Sequence, residues 1–234
     1  MKAFAVRQVN RALESRGFEL RRSSVARRVR LLELNGVDLV IDVGAAGGAY
    51  GRQLRNHGYT GRIVSFEPLA ASFAELTQTT AHDDGWEIHN LALGESAMTA
   101  DLNVATNRDS SSLLPMLESH RVAAPTTLME GSEPVQVARL DDVIGDVPGR
   151  RPFLKIDTQG YERQVLAGGP QTVQACVGLQ LELSFIPLYE GGMLVDEAVS
   201  WAYDGGFRLM GIEQGFAASD GRILQVDGLF FRDR

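Results

Sequence analysis

Two acids and a cluster of glycines are spaced to hold a nucleotide-like ligand, and two further acids stand where they can take a proton. Asp42 interrupts the apolar run Leu39–Val43, which is followed by Gly44, Gly47 and Gly48, so the chain reads strand, tight turn, helix. Glu67 closes a second run, Ile63–Phe66, and Pro68 after it suits the first turn of a helix. An acid at the end of a second strand can accept hydrogen bonds from both ribose hydroxyls. The glycines fall as G-x-x-G-G rather than G-x-G-x-x-G, so the loop is not the one that lays a pyrophosphate on a helix N-terminus. Asp157 follows the strand-like Phe153–Ile156, and Glu182 interrupts the apolar run Leu179–Ile186, where a carboxylate is costly unless it has a partner or a task. General-base work is such a task.

These residues need a sheet edge to bring them together. Apolar strands alternating with helical stretches predict a doubly wound α/β sheet with strands near 38–43, 62–66, 86–91, 152–156, 178–184, 207–213 and 225–231. Helices are expected near 48–57, 69–80, 160–167 and 194–204. Residues 98–148 break this rhythm, with a possible hairpin around Asp101–Val104, a serine run and several prolines, and so read as an insertion that binds the acceptor. Open sheets of this type hold ligands at the carboxyl ends of their strands, which is where Asp42, Glu67 and Asp157 fall.

Beyond this pattern, the chain resembles the FkbM-type S-adenosylmethionine-dependent methyltransferases. The resemblance rests on VIDVGAAGGAYG (40–51), IVSFEP (63–68), NLALG (90–94), SSSLL (110–114), FLKIDTQGYE (153–162), LELSFIPLYEG (181–191) and QVDGLFFR (225–232). It implies a Rossmann-like class I methyltransferase fold, seven-stranded and mostly parallel with an antiparallel last strand, and methyl transfer to a hydroxyl of a sugar, glycolipid, polysaccharide or polyketide. S-adenosylmethionine carries no phosphate, so the glycine loop need only pass under its amino-acid part while Asp42 meets the ammonium. Asp42, Gly44, Ala45, Gly48, Tyr50, Glu67 and Pro68 are the expected cofactor contacts, with Asn90, Ala92 and Leu93 at the adenine and Ser111 at the cofactor carboxylate or acceptor hydroxyls. The family often has Asn where this chain has Ala46, which removes a side-chain hydrogen bond to the ligand or loop.

Asp157 and Glu182 are the expected catalytic acids, and an antiparallel last strand would bring Asp227 to face them. Tyr161, Tyr189, Glu190 and Asp227 are the expected acceptor contacts. Asp157, Glu182 and Asp227 would be the ligands of a divalent ion if one took part, but metal-free proton abstraction is favoured because no fixed ligand spacing is present. Each acid has a structural alternative: Asp157 capping the helix near Gln159, Glu182 paired with Lys155, Asp227 closing a turn at Gly228. NAD-dependent redox chemistry or plain ligand binding on the same fold is the competing function. His120 is the one histidine placed to reach an acceptor, with a solvated loop role preferred.

The chain has 234 residues, 44% hydrophobic, enough for one α/β domain (37–234) behind a basic helical extension or lid (1–36). A lone Cys176 excludes an internal disulfide, and the absence of a long apolar run predicts a cytoplasmic protein. Residues 1–30 carry +7, leaving −14 for the rest. Phe4, Val6, Val9, Leu13 and Phe18 predict a short amphipathic helix and a turn at Gly17. That segment suits a docking helix, or contact with an anionic membrane surface, better than nucleic acid, for which the acidic remainder offers no basic face.

Overall fold

The structure, a computed structural model, describes residues 2–18, 20, 23–145 and 147–233; the side chains of residues 2–7, Phe4 and Val6 among them, lie outside the described residues. Seven strands form the main sheet: β1 (Leu39–Val43), β2 (Arg62–Phe66), β3 (Trp86–His89), β7 (Pro152–Ile156), β8 (Gly178–Ser184), β9 (Phe207–Gln214) and β10 (Gln225–Arg232). Their order is β3-β2-β1-β7-β8-β10-β9, with β10 antiparallel to both neighbours and the others parallel. The chain order reverses across β1 and β7, the switch point at which such sheets open a ligand crevice.

Side-chain alternation along β1 explains the two layers. Leu39, Ile41 and Val43 face one apolar core with Leu154, Ile156, Leu179 and Leu181, covered by α7 (Glu162–Ala167), α8 (Pro170–Ala175) and α9 (Val195–Asp204). Val40 faces the other core with Ile63, Phe153, Leu229 and Phe231, beneath α2 (Ser24–Leu34) and α3 (Ala49–Asn56). Helix α2 anchors there through Val29 and Leu32, both buried, each contributing about 1.5–3 kcal/mol on burial. Ser23 caps it, accepting a hydrogen bond from the Ala26 N–H. Helix α1 (Lys2–Glu14) precedes it and ends near Gly17, whose φ is +75°. Helix α4 (Ala70–Thr80) follows β2.

The segment expected to be an insertion forms a second sheet, in which β4 (Ala92–Leu93), β5 (Met98–Ala105) and β6 (Met129–Ala138) pair in the order β4-β6-β5. Asp101–Val104 is therefore not a hairpin turn but the middle of β5, whose partner lies beyond a 3-10 turn (Arg108–Ser110) and α5 (Glu118–Ala123). Leu102 on β5 and Val135 and Val137 on β6 alternate inward onto Leu69 and Ala92, and that buried face makes the long-range pairing favourable. The short α6 (Leu140–Ile144) returns the chain to the main sheet. His120 on α5 is buried, edge-on to Tyr189 at 5.4 Å and stacked on Phe216 at 5.5 Å, so the expected solvated role does not hold. Among the described residues no helix is long and apolar enough to cross a membrane.

Candidate functional site

At the carboxyl edge of the sheet a cavity of about 930 Å³ runs from the end of β3 past the glycine loop to β9 and α2. That volume is typical of small-molecule sites. The sheet face under α2 and α3 changes character along its length, apolar at the amino end (Val40, Ile63, Phe153) and polar at the carboxyl end (Asp42, Ser65, Lys155, Gln180), where Lys155 and Gln180 line the cavity.

Lys155 is the hub of this polar row. Its ammonium lies 3.0 Å from Asp42 Oδ1, donates to the Gly44 carbonyl at 2.6 Å, and sits 3.8 Å from Asp157 Oδ2. Asp42 Oδ2 accepts from Ser65 Oγ at 3.2 Å, and Ser65 in turn accepts from Trp86 Nε1 at 2.9 Å. Burial alone would lower the Lys155 pKa, but the facing Asp42 and Asp157 outweigh it and hold the amine charged. Asp42 is 0% exposed and does not line the cavity, so the expected contact with a ligand ammonium is not where its carboxylate goes. It is spent on Lys155 and Ser65.

The glycine loop is built by close approach. Gly44 has φ +76°, and a Cβ there would stand 1.9 Å from the Asp157 carbonyl oxygen, so only glycine lets the loop meet the end of β7. Gly48 has φ +84° and faces Leu76 and Thr79 of α4; it shapes the entry of α3, while Gly47 takes its expected place on the cavity wall. Ala46, with φ +47°, is one of two non-glycine residues in the left-handed region among the described residues. That conformation costs Ala about 1–2 kcal/mol, whereas Asn tolerates it. Ala46→Asn should therefore raise stability by about 0.5–1 kcal/mol in chemical denaturation; an unchanged or lower stability would show that the loop does not hold this backbone.

Glu67 joins the loop to β2. Oε2 accepts from the Ala46 N–H and Oε1 from the Leu69 N–H, each at 2.8 Å. Burial pushes its carboxyl up to about 7, against the pull of those two donors and of Lys155. Pro68, Ala92 and Leu93 line the cavity beside it. Asn90 does not: its amide donates to the carbonyls of Glu67 at 2.9 Å and Pro68 at 3.0 Å, tying two loops rather than facing an adenine slot. Arg108 of the 3-10 turn reaches across to Glu75 on α4 at 2.6 Å, bracing the roof near Ser111, whose hydroxyl accepts from the Ala105 N–H.

On the far side of Lys155, Asp157 and Asp227 both line the cavity. Burial, then the Asp157 charge, pushes Asp227 up to about 6, opposed by Gln180, Lys155 and Arg28. Glu182 pairs with Asp227 across β8 and β10 but does not line the cavity, because the Gln159 side chain lies between it and Asp157. Its carboxyl sits well above the usual range through burial and then the charges of Asp157, Glu162 and Asp227. Lys155 faces Asp42 and Asp157, not Glu182. Among the described residues no three His, Cys, Asp or Glu side chains converge as a metal-ligand group.

Tyr161 lines the cavity, and Tyr50 does so with its hydroxyl on Gln180 at 3.0 Å. Tyr189 is buried and Glu190 exposed, and neither lines the cavity; the Tyr189 hydroxyl is occupied by Ser110 O and Gln159 Oε1, each at 2.9 Å. Two contributors were not foreseen. Arg28 of α2, buried and paired with Glu213 of β9, stacks 4.5 Å over the Tyr50 ring and walls the β9 end. Gln159 is the other, and a polar residue between Asp157 and Gly160 was its only signal.

The family model described as the methyltransferase FkbM domain matches residues 42–209. No curated protein matches the chain. Among solved structures, a protein from Thermobifida fusca described as a methyltransferase aligns with a TM-score of 0.51 at 12% identity, covering 90% of this chain and 79% of its own. Sp1610 of Streptococcus pneumoniae, described as a tRNA (m1A22) methyltransferase and solved with S-adenosyl-L-methionine, aligns at 0.50 and 11% identity over 89% of this chain and 73% of its own. At these identities the likeness is one of fold, that of the class I methyltransferases.

Proposed function

The chain belongs to the methyltransferase FkbM family, and we propose that this S-adenosylmethionine-dependent methyltransferase alkylates a hydroxyl oxygen of a sugar, glycolipid, polysaccharide or polyketide acceptor. The observation that carries the reading is that Asp157, just past the end of β7, and Asp227, on β10, line the same cavity as the glycine loop and Glu67. A hydroxyl must give up its proton as it is alkylated, and a carboxylate within reach can take it. The sheet order supports a division of the cavity: the cofactor along β3, β2 and β1, the acceptor over β7, β8 and β10 beneath α2.

The residues fit that cofactor. Glu67 keeps free lone pairs for ribose hydroxyls, Ala92 and Leu93 offer an apolar slot for adenine, and the backbone of Gly44–Gly47 lies open to the methionine part. When bound, S-adenosylmethionine supplies a methyl group on a sulfonium. Asp157 Oδ1 is held by Gln159, leaving Oδ2 as the oxygen that would accept the hydroxyl proton. The Lys155 ammonium lies 3.8 Å from that oxygen. Asp227 orients the hydroxyl.

Thermal shift with S-adenosylmethionine, S-adenosylhomocysteine and NAD tests the cofactor assignment: stabilisation of about 2.7 kcal/mol is expected for either sulfur ligand at a hundredfold over its Kd and none for NAD. The ribose role of Glu67 has a pH signature. Hydroxyl donors favour the charged carboxylate, so S-adenosylhomocysteine affinity should rise with pH up to about 7 and level off above it. Calorimetry on Glu67→Gln should give weaker, pH-independent binding; a slope identical to that of the unaltered protein would remove Glu67 from the ribose.

A further inference from the structure

Gln159 is held in a conformation that its residue type disfavours. Its φ of +55° places it, with Ala46, in the left-handed region, where a long side chain costs about 1–3 kcal/mol unless surrounding contacts fix it. Those contacts are all present. Glu162 accepts from the N–H groups of Thr158 at 3.0 Å and Gly160 at 3.1 Å, clamping the loop on both sides, and Ser112 Oγ donates to the Gln159 carbonyl at 2.7 Å.

The side chain then gives its amide protons to the acids. Nε2 has two protons; it donates to Asp157 Oδ1 at 2.9 Å and to both oxygens of Glu182 at 3.2 Å. Oε1 lies 2.9 Å from the Tyr189 hydroxyl, whose single proton it shares with the Ser110 carbonyl, and the two carboxylates fix the amide's orientation, since a flip would turn its oxygen toward them. Nothing in this arrangement requires Gln159 for the fold. A glycine would relieve the backbone, and the core beneath would be untouched.

We propose that Gln159 is a positioning residue, whose amide bridges Asp157 and Glu182, sets the direction of the Asp157 carboxylate and so leaves Oδ2 of Asp157 as the oxygen that meets the acceptor. The purpose rests on the hydroxyl-transfer reading above; the bridge itself does not. Glu182 faces Asp157 at the end of β7, Glu162 of α7 and Asp227 of β10, and the Gln159 amide is the neutral donor that offsets their repulsion. Removing it leaves two carboxylates apposed without a shared partner.

The test uses the full chain bound to S-adenosylhomocysteine, so it needs no acceptor and its failure is separate from failure of the O-methyl reading. Gln159→Gly removes the amide and relieves the backbone; Gln159→Asn keeps a left-handed-tolerant residue with an amide one methylene short, and serves if the glycine variant does not fold. Carboxyl ¹³C resonances of Asp157 and Glu182 are followed against pH, with the thermal midpoint and S-adenosylhomocysteine Kd measured alongside. Expected are a Glu182 titration moved upward by about one unit, a changed Asp157 shift, a Kd within twofold and a thermal midpoint not lowered in the glycine variant. Unmoved carboxyl resonances in both variants would overturn the proposal. So would a Kd weakened tenfold or more, which would make Gln159 a cofactor contact.

Discussion

Replacing Lys155 with Met should destabilise the fold by about 3–5 kcal/mol, because it strands Asp42 as a buried charge without its partner. The ammonium is also the donor that holds the Gly44 carbonyl at 2.6 Å, so the glycine loop should loosen with it. Denaturant unfolding measures the first effect and S-adenosylhomocysteine affinity the second. The double variant Asp42→Asn with Lys155→Met should recover most of the stability, since a neutral pair no longer carries the cost of an isolated ion. It should not recover ligand affinity, because the loop carbonyl still lacks its donor. A loss below about 1 kcal/mol in the single variant would mean that Asp42 finds another counter-charge.

Asp157→Asn and Asp227→Asn should each lower methyl transfer by about 10²–10⁴-fold with S-adenosylhomocysteine affinity within twofold of the original. Both carboxamides keep the shape of the site; Asp157→Asn removes the group that takes the proton, and Asp227→Asn removes the carboxylate that orients the hydroxyl. In the unaltered enzyme kcat/KM should rise as pH increases through about 6, where Asp227 loses its proton, and Asp227→Asn should flatten that limb. Full turnover in both variants would take the two acids out of the chemistry.

Most of the scaffold was legible because strands and their glycine turns are local features. The seven strands fall within a few residues of the runs expected from apolar pattern, and β10 lies antiparallel as the family resemblance implied. What was not legible depends on distant pairing. The β5–β6 ladder joins residues whose alternation is shallow in sequence and becomes decisive only when Leu69 and Ala92 offer a surface to bury. Arg28 meets Glu213 from the opposite end of the chain, and a basic segment read as a lid or docking helix supplies a buried wall of the cavity.

The site shows the same division. Glu67, Asp157 and Asp227 were placed by strand ends, and the structure puts all three on one cavity. Asp42, Asn90 and Tyr189 were misread because a polar residue near a strand end looks alike whether it faces a ligand or holds the loop beside it. Their partners settle the matter: Lys155 for Asp42, two carbonyls for Asn90, Gln159 for Tyr189. Asp42 and Lys155 lie opposite each other in register on β1 and β7, so strand alignment would have exposed that pair. Gln159 offered no such route, since a positive φ outside glycine leaves no mark in composition.

A cavity that delivers a methyl group to oxygen leaves an ether as its product. The most direct measurement is incubation of the protein with ¹³C-methyl S-adenosylmethionine and, in parallel, glycolipid, polysaccharide and RNA fractions of the source cells, followed by NMR of the labelled methyl carbon. A methyl ether is expected in a carbohydrate-bearing fraction, lost in Asp157→Asn. A methyl group on nitrogen or carbon, or label confined to RNA, would contradict it.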